Sequence, residues 1–426
     1  MQQAVQPPSS NLLRWRHSHV CKTAFSNRYK SLRHSPHVGA IVLRAKAEPV
    51  FVDLGPLELL RPMIVDLSKE MGSDDAGYIA ALDLHAALVE PLSAHLANIS
   101  TVYLAPAGPL GLVPFELLLD AEDRRWGDIK ELRMTPTGRS LLRGTDVATV
   151  YGKGLVAFGA VDFDAIPSAD SEPDRAEVQT FLAMAEDVRA RPEELSKRSG
   201  AARSFVSLPH TATELAAITD IWRTETGEEA TTFMASAASE TALKGVHNPR
   251  VLHLATHGFV KRSDMERTAS EGRTALLTGI ALAGANRRNG ANSVAPSQDA
   301  AESRGLALGY EIEALDLYNT ELVVVSACET GRGPTDANEG VYSLARAFRI
   351  AGAGAVLVTL KPVDDALTAE FMAEYYRTWL TLRRNGVKTT PAQSLATVKR
   401  RWAQSSNRTK SDPRSWAPFI IVHNEK

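Results

Sequence analysis

The sequence predicts an α/β protein whose mostly parallel sheet carries helices on both faces. Short runs of apolar, largely β-branched residues recur along the chain, among them "RVLHLATHG", "TELVVVSAC" and "GAVLVTL". Segments with apolar residues at helical spacing lie between these runs, for example "GVYSLARAFRIAG". Strands that are apolar along their whole length are typical of parallel sheets buried on both faces. An apolar fraction of 44% supplies the core that such a sheet needs.

A basic segment, residues 1–39, precedes the predicted fold. Residues 1–47 contain eight Lys and Arg and no acid, and Glu48 is the first carboxylate. This Ser-rich composition resembles an organelle transit peptide, although a disordered tail and a wrongly assigned start are simpler interpretations, and all three stay open. The two cysteines, Cys21 and Cys328, cannot form a disulfide framework. A reducing compartment such as the cytoplasm is therefore the expected setting.

Residues 40–209 are predicted to form a smaller, supporting part of the fold. They open with a hairpin in "GAIVLRAKAEPVFVDLG" and continue through a helical region, residues 56–97. "TVYLAPAGPLGLVPFELLL" predicts a strand, a Pro/Gly turn and the start of a helix. "GKGLVAFGAVDFD" predicts a buried strand, and we interpret the polar residues 164–208 that follow as an insertion.

Residues 210–426 are predicted as a second subdomain in which strands and helices alternate regularly. The runs "ATTFM", "RVLHLATHG", "TELVVVSAC", "GAVLVTL" and "WAPFIIVH" predict its strands. "SETALKGV", "GVYSLARAFRIAG", "DALTAEFMAEYYRTWLTLRRNG" and "PAQSLATVKRRWA" predict its later helices. A long polar loop, roughly residues 285–305, interrupts the pattern.

Two helix starts in this subdomain have recognisable caps. Thr211 and Glu214 fit a capping box ahead of a helix that runs through Trp222. Asp364 and Asp365 head a later helix and are most simply its N-cap residues.

Charge and motif content exclude several function classes. Lys+Arg of 48 against Asp+Glu of 50 gives a net charge of -2, whereas a dedicated nucleic-acid binder would show a clear basic excess. No apolar run reaches the ~18 residues that a transmembrane helix needs. The sequence lacks a G-x-x-x-x-G-K-[ST] motif, and "GAGAV" precedes a strand, which is the wrong order for a dinucleotide site. We therefore expect no cofactor, no direct nucleic-acid partner and no membrane partner.

Two predicted strands end in side chains that can do chemistry together. One delivers His257, followed by Gly258, and the other delivers Cys328, followed by "ETG". Ligands bind at the carboxyl ends of strands in open α/β sheets, so neighbouring strands would bring both side chains into one crevice. A thiol titrates near ~8.5, and an imidazole base can activate it at neutral pH and later protonate a leaving amine. The backbone N–H groups of Gly258 and Cys328 are candidates for an oxyanion hole.

Two other interpretations of these residues stay open. A cysteine and a histidine at such positions are also common as packed core residues, in which case the crevice would only bind a partner. His253 falls on the same face of its strand as His257, and together with Cys328 they would make a zinc site in a metal-dependent hydrolase. No Cys-x-x-Cys accompanies them, so we expect no metal and a packed position for His253.

"VLHLATHG" together with "VVVSACETG" resembles the His and Cys boxes of the CHAT domain, a caspase-like cysteine-peptidase family. Its clan includes caspases, metacaspases, separase and clostripain. "VYLAPAGPLGLVPFELL", "NEGVYSLARAFRIAGAGAVLVTLKPVDD" and "WAPFIIVH" resemble further blocks of the family, in the family's order. The resemblance implies a caspase-like fold, with residues 40–209 as a supporting or pseudo-caspase subdomain. It also implies a cysteine endopeptidase that acts on protein, with His257 as general base and acid and Cys328 as nucleophile.

The chain departs from the family near the implied site. Lys361 stands where family members usually carry Trp, which places a cation beside the site. Metacaspases cut after Arg or Lys and carry an acid two residues before the nucleophile, where this chain has a serine. The candidates for the substrate pocket are Ser326, Glu329, Asp336, Glu339 and Lys361.

Control of the implied activity is expected as well. Members of the family are mostly bacterial and tied to regulated proteolysis, and the tetratricopeptide-type repeats commonly fused upstream do not occur in this sequence. We expect a regulatory partner, or cleavage within residues 285–305, to bring the His and Cys strands into the competent arrangement. The other interpretation of this loop, a passive surface insertion, stays open. The alternative is a catalytically silent caspase-like module that recruits partners in a bacterial signalling or defence system.

Overall fold

The computed structural model describes residues 14–15, 36–135, 151–165, 205–260, 278–289, 305–328, 337–361 and 363–423. The strands in these ranges are β1 (Arg14–Trp15), β2 (His37–Val42), β3 (Val50–Pro56), β4 (Thr101–Leu104), β5 (Glu131–Met134), β6 (Lys153–Val161), β7 (Ala230–Ala235), β8 (Pro249–Val260), β9 (Thr278–Ala281), β10 (Leu306–Leu308), β11 (Leu322–Cys328), β12 (Ala355–Thr359) and β13 (Phe419–His423). The α-helices there are α1 (Leu57–Glu70), α2 (Asp75–Leu88), α3 (Ser93–Leu96), α4 (Trp126–Ile129), α5 (His210–Thr226), α6 (Glu240–Lys244), α7 (Gly309–Glu313), α8 (Ala337–Ile350), α9 (Asp365–Arg384), α10 (Pro391–Ala403) and α11 (Arg408–Ser411).

The chain divides into two compact units. One comprises Met1–Thr149, Gly333–Glu339 and Thr390–Lys426. The other comprises Val150–Arg332 and Gly340–Thr389. The sequence predicts a domain boundary at residue 209, whereas the first boundary between the two compact units of the structure lies after residue 149.

The first unit contains the predicted hairpin and helical region. β2 and β3 pair antiparallel, from His37 beside Pro56 to Val42 beside Val50. The buried residues of α1 recur at helical spacing and are Leu57, Leu60, Ile64 and Leu67. α2 begins after Asp74, whose carboxylate accepts a hydrogen bond of 2.8 Å from the Gly77 N–H. The unit also contains β4, β5 and β13, which pair parallel in the order β13-β5-β4.

The second unit is built on a parallel sheet in the order β7-β6-β8-β11-β12. β9 adds antiparallel to the last residues of β8, and β10 adds antiparallel to β9. Residues Leu322–Ser326 of β11 are buried without interruption, which means that both faces of the sheet are covered. α5 packs on this sheet, and Gly159 of β6 permits the contact because a Cβ there would come within 2.6 Å of Leu215. The mixed α/β fold with a mostly parallel sheet is thereby confirmed.

The prediction that the His strand ends at Gly258 is wrong. β8 continues to Val260, because Gly258, Phe259 and Val260 pair with Ile280, Gly279 and Thr278 of β9. The sequence analysis did not identify β9, β10 or β5. β9 and β10 are short, and the four residues of β5 are all half-buried, so none shows a strong apolar pattern.

The two predicted caps have different outcomes. The Asp364 carboxylate accepts a hydrogen bond of 3.0 Å from the Leu367 N–H and caps α9, as predicted. Asp365 is instead the first residue of α9, and its carboxylate accepts from the His210 N–H at 2.8 Å.

The capping box at the start of α5 is wrong, because the helix begins two residues earlier, at His210, with Pro209 in the N-cap position. The Thr211 hydroxyl donates to the Leu208 carbonyl at 2.6 Å and accepts from the Ala160 N–H at 2.8 Å. Thr211 thus joins the start of α5 to β6. Glu214 is buried and faces β8 instead of the helix end.

Candidate active site

β8 and β11 bring the positions of His257 and Cys328 to the same level of the sheet. The two strands are parallel neighbours, with Ala327 beside His257 and Cys328 beside Gly258. The register shifts between Val325 and Ala327, so that β8 uses one more residue than β11 over this stretch. Bulges of this kind are frequent next to active sites, because they change the direction of the side chains that follow. The predicted neighbourhood of the His and Cys strands is therefore observed, with a bulge that sequence patterns do not reveal.

His257 lies under aromatic side chains and is hydrogen-bonded to the backbone. Only 2% of the residue is exposed. Its Nε2 lies 2.7 Å from the Val206 carbonyl oxygen. A carbonyl oxygen only accepts, so Nε2 carries the proton, and in the neutral ring the lone pair lies on Nδ1. Nδ1 is therefore the ring nitrogen that can accept a proton.

Two phenylalanines orient the ring. The centroid of the His257 ring lies 5.2 Å from that of Phe163 and 5.7 Å from that of Phe205. Phe205 also approaches Phe163 at 5.8 Å and Phe259 at 5.9 Å. These rings come from the end of β6, the segment before α5 and the end of β8. They hold the imidazole in one orientation and exclude water from it.

The remaining predicted site residues occupy different surroundings. Gly258 lies between Cys328 on β11 and Ile280 on β9. Ser326 is buried, and its Oγ has no hydrogen-bond partner within the described residues. Lys361 is half-buried and follows β12.

The three acidic pocket candidates are not brought to the site by any described contact. Glu329 and Asp336 lie outside the described residues. Glu339 lies in the first turn of α8.

His253, on the same strand, makes buried polar contacts that the sequence analysis did not predict. The Nε2 of His253 is 3.0 Å from Glu214 Oε1 on α5. Its Nδ1 is 3.2 Å from the hydroxyl of Tyr376 on α9. All three residues are almost fully buried, and burial raises the pKa of Tyr376 well above its ordinary value. Both ring nitrogens of His253 thus face protein groups, which supports a packed role rather than the zinc site.

The opposite end of these strands carries ion pairs. Glu321, next to β11, is 5% exposed and receives Arg250 at 3.0 Å and Arg383 at 2.5 Å. Arg250 lies on β8 and Arg383 on α9, so the pairs join two strands and a helix. These charges lie at the amino ends of the strands, away from His257.

Fold and site together define a mixed α/β protein in which a histidine and a cysteine lie at neighbouring positions of parallel strands. A family model described as "CHAT domain" matches residues 79–424. The chain therefore belongs to the CHAT domain family, as the motifs predicted.

Among curated proteins the chain is similar to "Tetratricopeptide repeat protein 28". The identity is 32% with the Mus musculus protein and 34% with the Homo sapiens protein, each over 116 residues. The matched part is 26% of this chain and 4% of either relative's length.

Two solved structures resemble the chain at low identity. The Arg-specific cysteine proteinase gingipain R matches with a TM-score of 0.40 and 9% identity over 86% of this chain and 74% of that chain. The Saccharomyces cerevisiae separase–securin complex matches with a TM-score of 0.36 and 11% identity, over 80% of this chain and 17% of that chain. Among the residues that the structure describes, none of the helices is both long and apolar enough to span a membrane.

Proposed function

We propose that the chain is a cysteine endopeptidase in which His257 and Cys328 form the catalytic dyad. The observation that carries the proposal is the side-by-side placement of the two positions on β8 and β11, with the His257 Nε2–H donated to the Val206 carbonyl. In this tautomer the basic Nδ1 is the atom that takes the thiol proton. The Val206 carbonyl stabilises the resulting imidazolium through the same hydrogen bond, in a site where burial alone would disfavour a charge.

The proposed reaction is acyl transfer through a thioester. The Cys328 thiolate attacks the scissile carbonyl carbon, and the carbonyl oxygen becomes an oxyanion that accepts from the Gly258 and Cys328 N–H groups. The C–N bond breaks as the His257 imidazolium returns its proton to the leaving amine. Water then attacks the thioester, with His257 again taking a proton, and the carboxylic acid and the thiol are released. No metal or cofactor takes part in this proposal.

Lys361 is the pocket candidate with the most direct support. Lys361 lies two residues beyond the end of β12, the strand that pairs parallel with β11. A cation beside Cys328 would favour the nucleophilic thiolate in the proposed reaction. It would also attract an acidic group of a substrate or regulator. Glu329, Asp336 and Glu339 stay proposed as acids of the pocket, whereas the burial of Ser326 argues against its contact with a substrate.

The proposed setting is cytoplasmic, with a protein substrate and a regulatory protein partner. Residues 285–305 motivate the regulation, because they lie between β9 and β10 in the part of the chain that leads from the His strand to the Cys strand. Within this segment Ala285–Asn289 form one turn of 3-10 helix, and residues 290–304 lie outside the described residues. Cleavage of the segment, or a partner bound to it, is proposed to raise activity.

The deciding experiment is proteome-wide labelling of new N-termini in cells that express the wild type or Cys328→Ala. We expect a set of termini that appears with the wild type and with Cys21→Ala but not with Cys328→Ala, because only Cys328 is a nucleophile of the site. Identical termini in the wild type and Cys328→Ala would contradict the proposal that Cys328 is the nucleophile of an endopeptidase. The set itself would identify the substrate class.

A catalytically silent binding module is the second candidate, and the burial of His257 favours it. A ring that is only 2% exposed under two phenylalanines is well suited to a packed role. Iodoacetamide discriminates the two functions, because thiolate fraction controls alkylation. A dyad predicts that Cys328 reacts faster than Cys21 and that His257→Gln abolishes the difference. Equal rates in the wild type would favour the module.

A further inference from the structure

Asn286 makes a two-bond contact with the backbone beside the candidate site. Its Oδ1 accepts a hydrogen bond of 2.6 Å from the Phe205 N–H. Its Nδ2 donates a hydrogen bond of 2.9 Å to the Phe205 carbonyl. Phe205 lies in no helix or strand, so its backbone groups need such partners. The carboxamide thus replaces the neighbouring strand that would otherwise satisfy both groups.

Asn286 is itself held by the end of β6. It lies in the turn after β9, within Ala285–Asn289. Its own N–H donates to the Phe163 carbonyl at 2.9 Å, and the Gly284 N–H donates to the Asp162 carbonyl at 3.1 Å. The turn is therefore fixed to the same segment that contributes Phe163 to the surroundings of His257.

The residue after Phe205 supplies the carbonyl that receives the His257 Nε2–H. The contact between Asn286 and Phe205 therefore determines where the Val206 carbonyl lies. A shift of about 1 Å in this segment would break the bond of 2.7 Å to Nε2 and remove the preference for the proton on Nε2. It would also loosen the Phe205 ring, whose centroid lies 5.7 Å from that of His257.

We propose that Asn286 is a positioning residue, which fixes Phe205 and Val206 and thereby keeps the His257 proton on Nε2. Its consequence for catalysis rests on the proposed function, whereas its consequence for the tautomer does not. Asn286 touches neither substrate nor thiol in this proposal. It acts through the backbone of Phe205 and Val206.

Asn286→Asp is the most selective test. The carboxylate still accepts from the Phe205 N–H, but it presents a second acceptor to the Phe205 carbonyl in place of the Nδ2 donor. Asn286→Ala removes both bonds without adding a charge and serves as the second variant. Asn248→Asp is the matched control at the opposite end of β8. There Oδ1 accepts from the Asn319 N–H at 3.1 Å and Nδ2 donates to Asp316 at 2.7 Å, so that change likewise turns a donor into an acceptor.

The measurement is the ring ¹⁵N spectrum of histidine-labelled full-length protein, with the His257 signals assigned by His257→Gln. In the wild type and in Asn248→Asp we expect a protonated Nε2 and an unprotonated Nδ1. In both Asn286 variants we expect the two ring-nitrogen shifts to move toward averaged values. In a peptide-cleavage assay we expect kcat to fall about 10-fold or more with little change in KM, because orientation rather than binding is lost.

The outcomes separate this inference from the proposed function. A wild-type proton on Nδ1, or His257 spectra unchanged in both Asn286 variants, would overturn the positioning role whatever the activity. Altered spectra with no cleavage in any variant, wild type included, would uphold the positioning role and remove the peptidase. If Asn286→Asp does not fold, Asn286→Ala carries the test, and a wild-type proton on Nδ1 overturns the positioning role without either variant.

Discussion

His253 and His257 lie four residues apart on one strand, and both are almost fully buried, yet their ring nitrogens face different groups. His253 has a carboxylate on one side and a tyrosine hydroxyl on the other. His257 has a backbone carbonyl at Nε2 and aromatic rings against its faces. Burial alone therefore does not distinguish the two histidines, whereas the groups that face their ring nitrogens do.

Loss of the contacts of His253 and loss of the contact of His257 should cost different amounts of free energy. A buried carboxylate that loses its cationic or hydrogen-bonding partner carries the full cost of desolvation, so the contacts of His253 matter for stability. A neutral carbonyl that loses its donor costs much less, about 1–3 kcal/mol. We therefore expect changes at His253 to act on the free energy of unfolding and changes at His257 to act on the reaction.

The largest expected effect is on catalysis by His257→Ala. Loss of the base should reduce peptide cleavage by about 10³-fold or more, since the thiol is then not activated. His247→Ala is the control, because His247 lies just before β8 and its side chain is 70% exposed. Cleavage at a normal rate by folded His257→Ala would contradict the assignment of His257 as the catalytic base. The unfolding midpoint of each variant is measured alongside.

His253→Gln should act on the stability of the fold rather than on peptide cleavage. The change removes the imidazole that lies 3.0 Å from the buried Glu214 carboxyl group, and we expect the free energy of unfolding to fall by about 3 kcal/mol. The additional change Glu214→Gln should restore part of the loss, because it removes the unpaired charge. Urea unfolding of the single and double variants measures this coupling. Additive losses in the double variant would show that Glu214 and His253 do not interact.

Breaking the ion pairs at the amino ends of β8 and β11 should also lower the free energy of unfolding, by a smaller amount. Glu321→Gln removes the carboxylate that receives Arg250 and Arg383, and we expect a loss of about 1–3 kcal/mol. The loss should be smaller than at His253, because the two arginine side chains are 25% and 28% exposed and water can solvate them. Glu229→Gln, at an exposed surface position, is the control. A large drop in cleavage by folded Glu321→Gln would mean that the two ends of the strands are not separable.

The features that could be predicted from the sequence were those that apolar periodicity and short motifs encode, namely the main strands, the family and two site positions. Continuous apolar runs identified β8, β11 and β12, and the resemblance of two short motifs identified the family and the positions of His257 and Cys328. Polar residues at core positions, such as Glu214 among Leu215 and Ile218 of α5, were the available signal for the buried group at His253. That signal does not specify which polar residues meet.

The rest of the candidate site depends on groups that leave no pattern in the sequence. The Val206 carbonyl belongs to the backbone, and any residue at that position provides one. Asn286 lies in a polar segment whose composition is typical of a loop. The bulge in β8 is a property of its register with β11, which the sequence of a single strand does not encode.

The smallest expected effect concerns specificity at the scissile residue. Ser326 stands where metacaspases carry the acid that receives Arg or Lys, and in this structure Ser326 is 2% exposed and faces the interior. A small, buried hydroxyl provides no charge-assisted pairing with a substrate cation. We therefore expect a positional-scanning peptide library to show no strong preference for Arg or Lys that depends on this position.

The measurement includes Glu329→Gln, Asp336→Asn and Glu339→Gln, since an acid downstream of the nucleophile would be the other source of such a preference. Selectivity for Arg or Lys that disappears in one of these variants would identify that acid as the specificity determinant. Near-absolute selectivity that survives all three would show that the substrate cation is recognised by groups outside the proposed pocket.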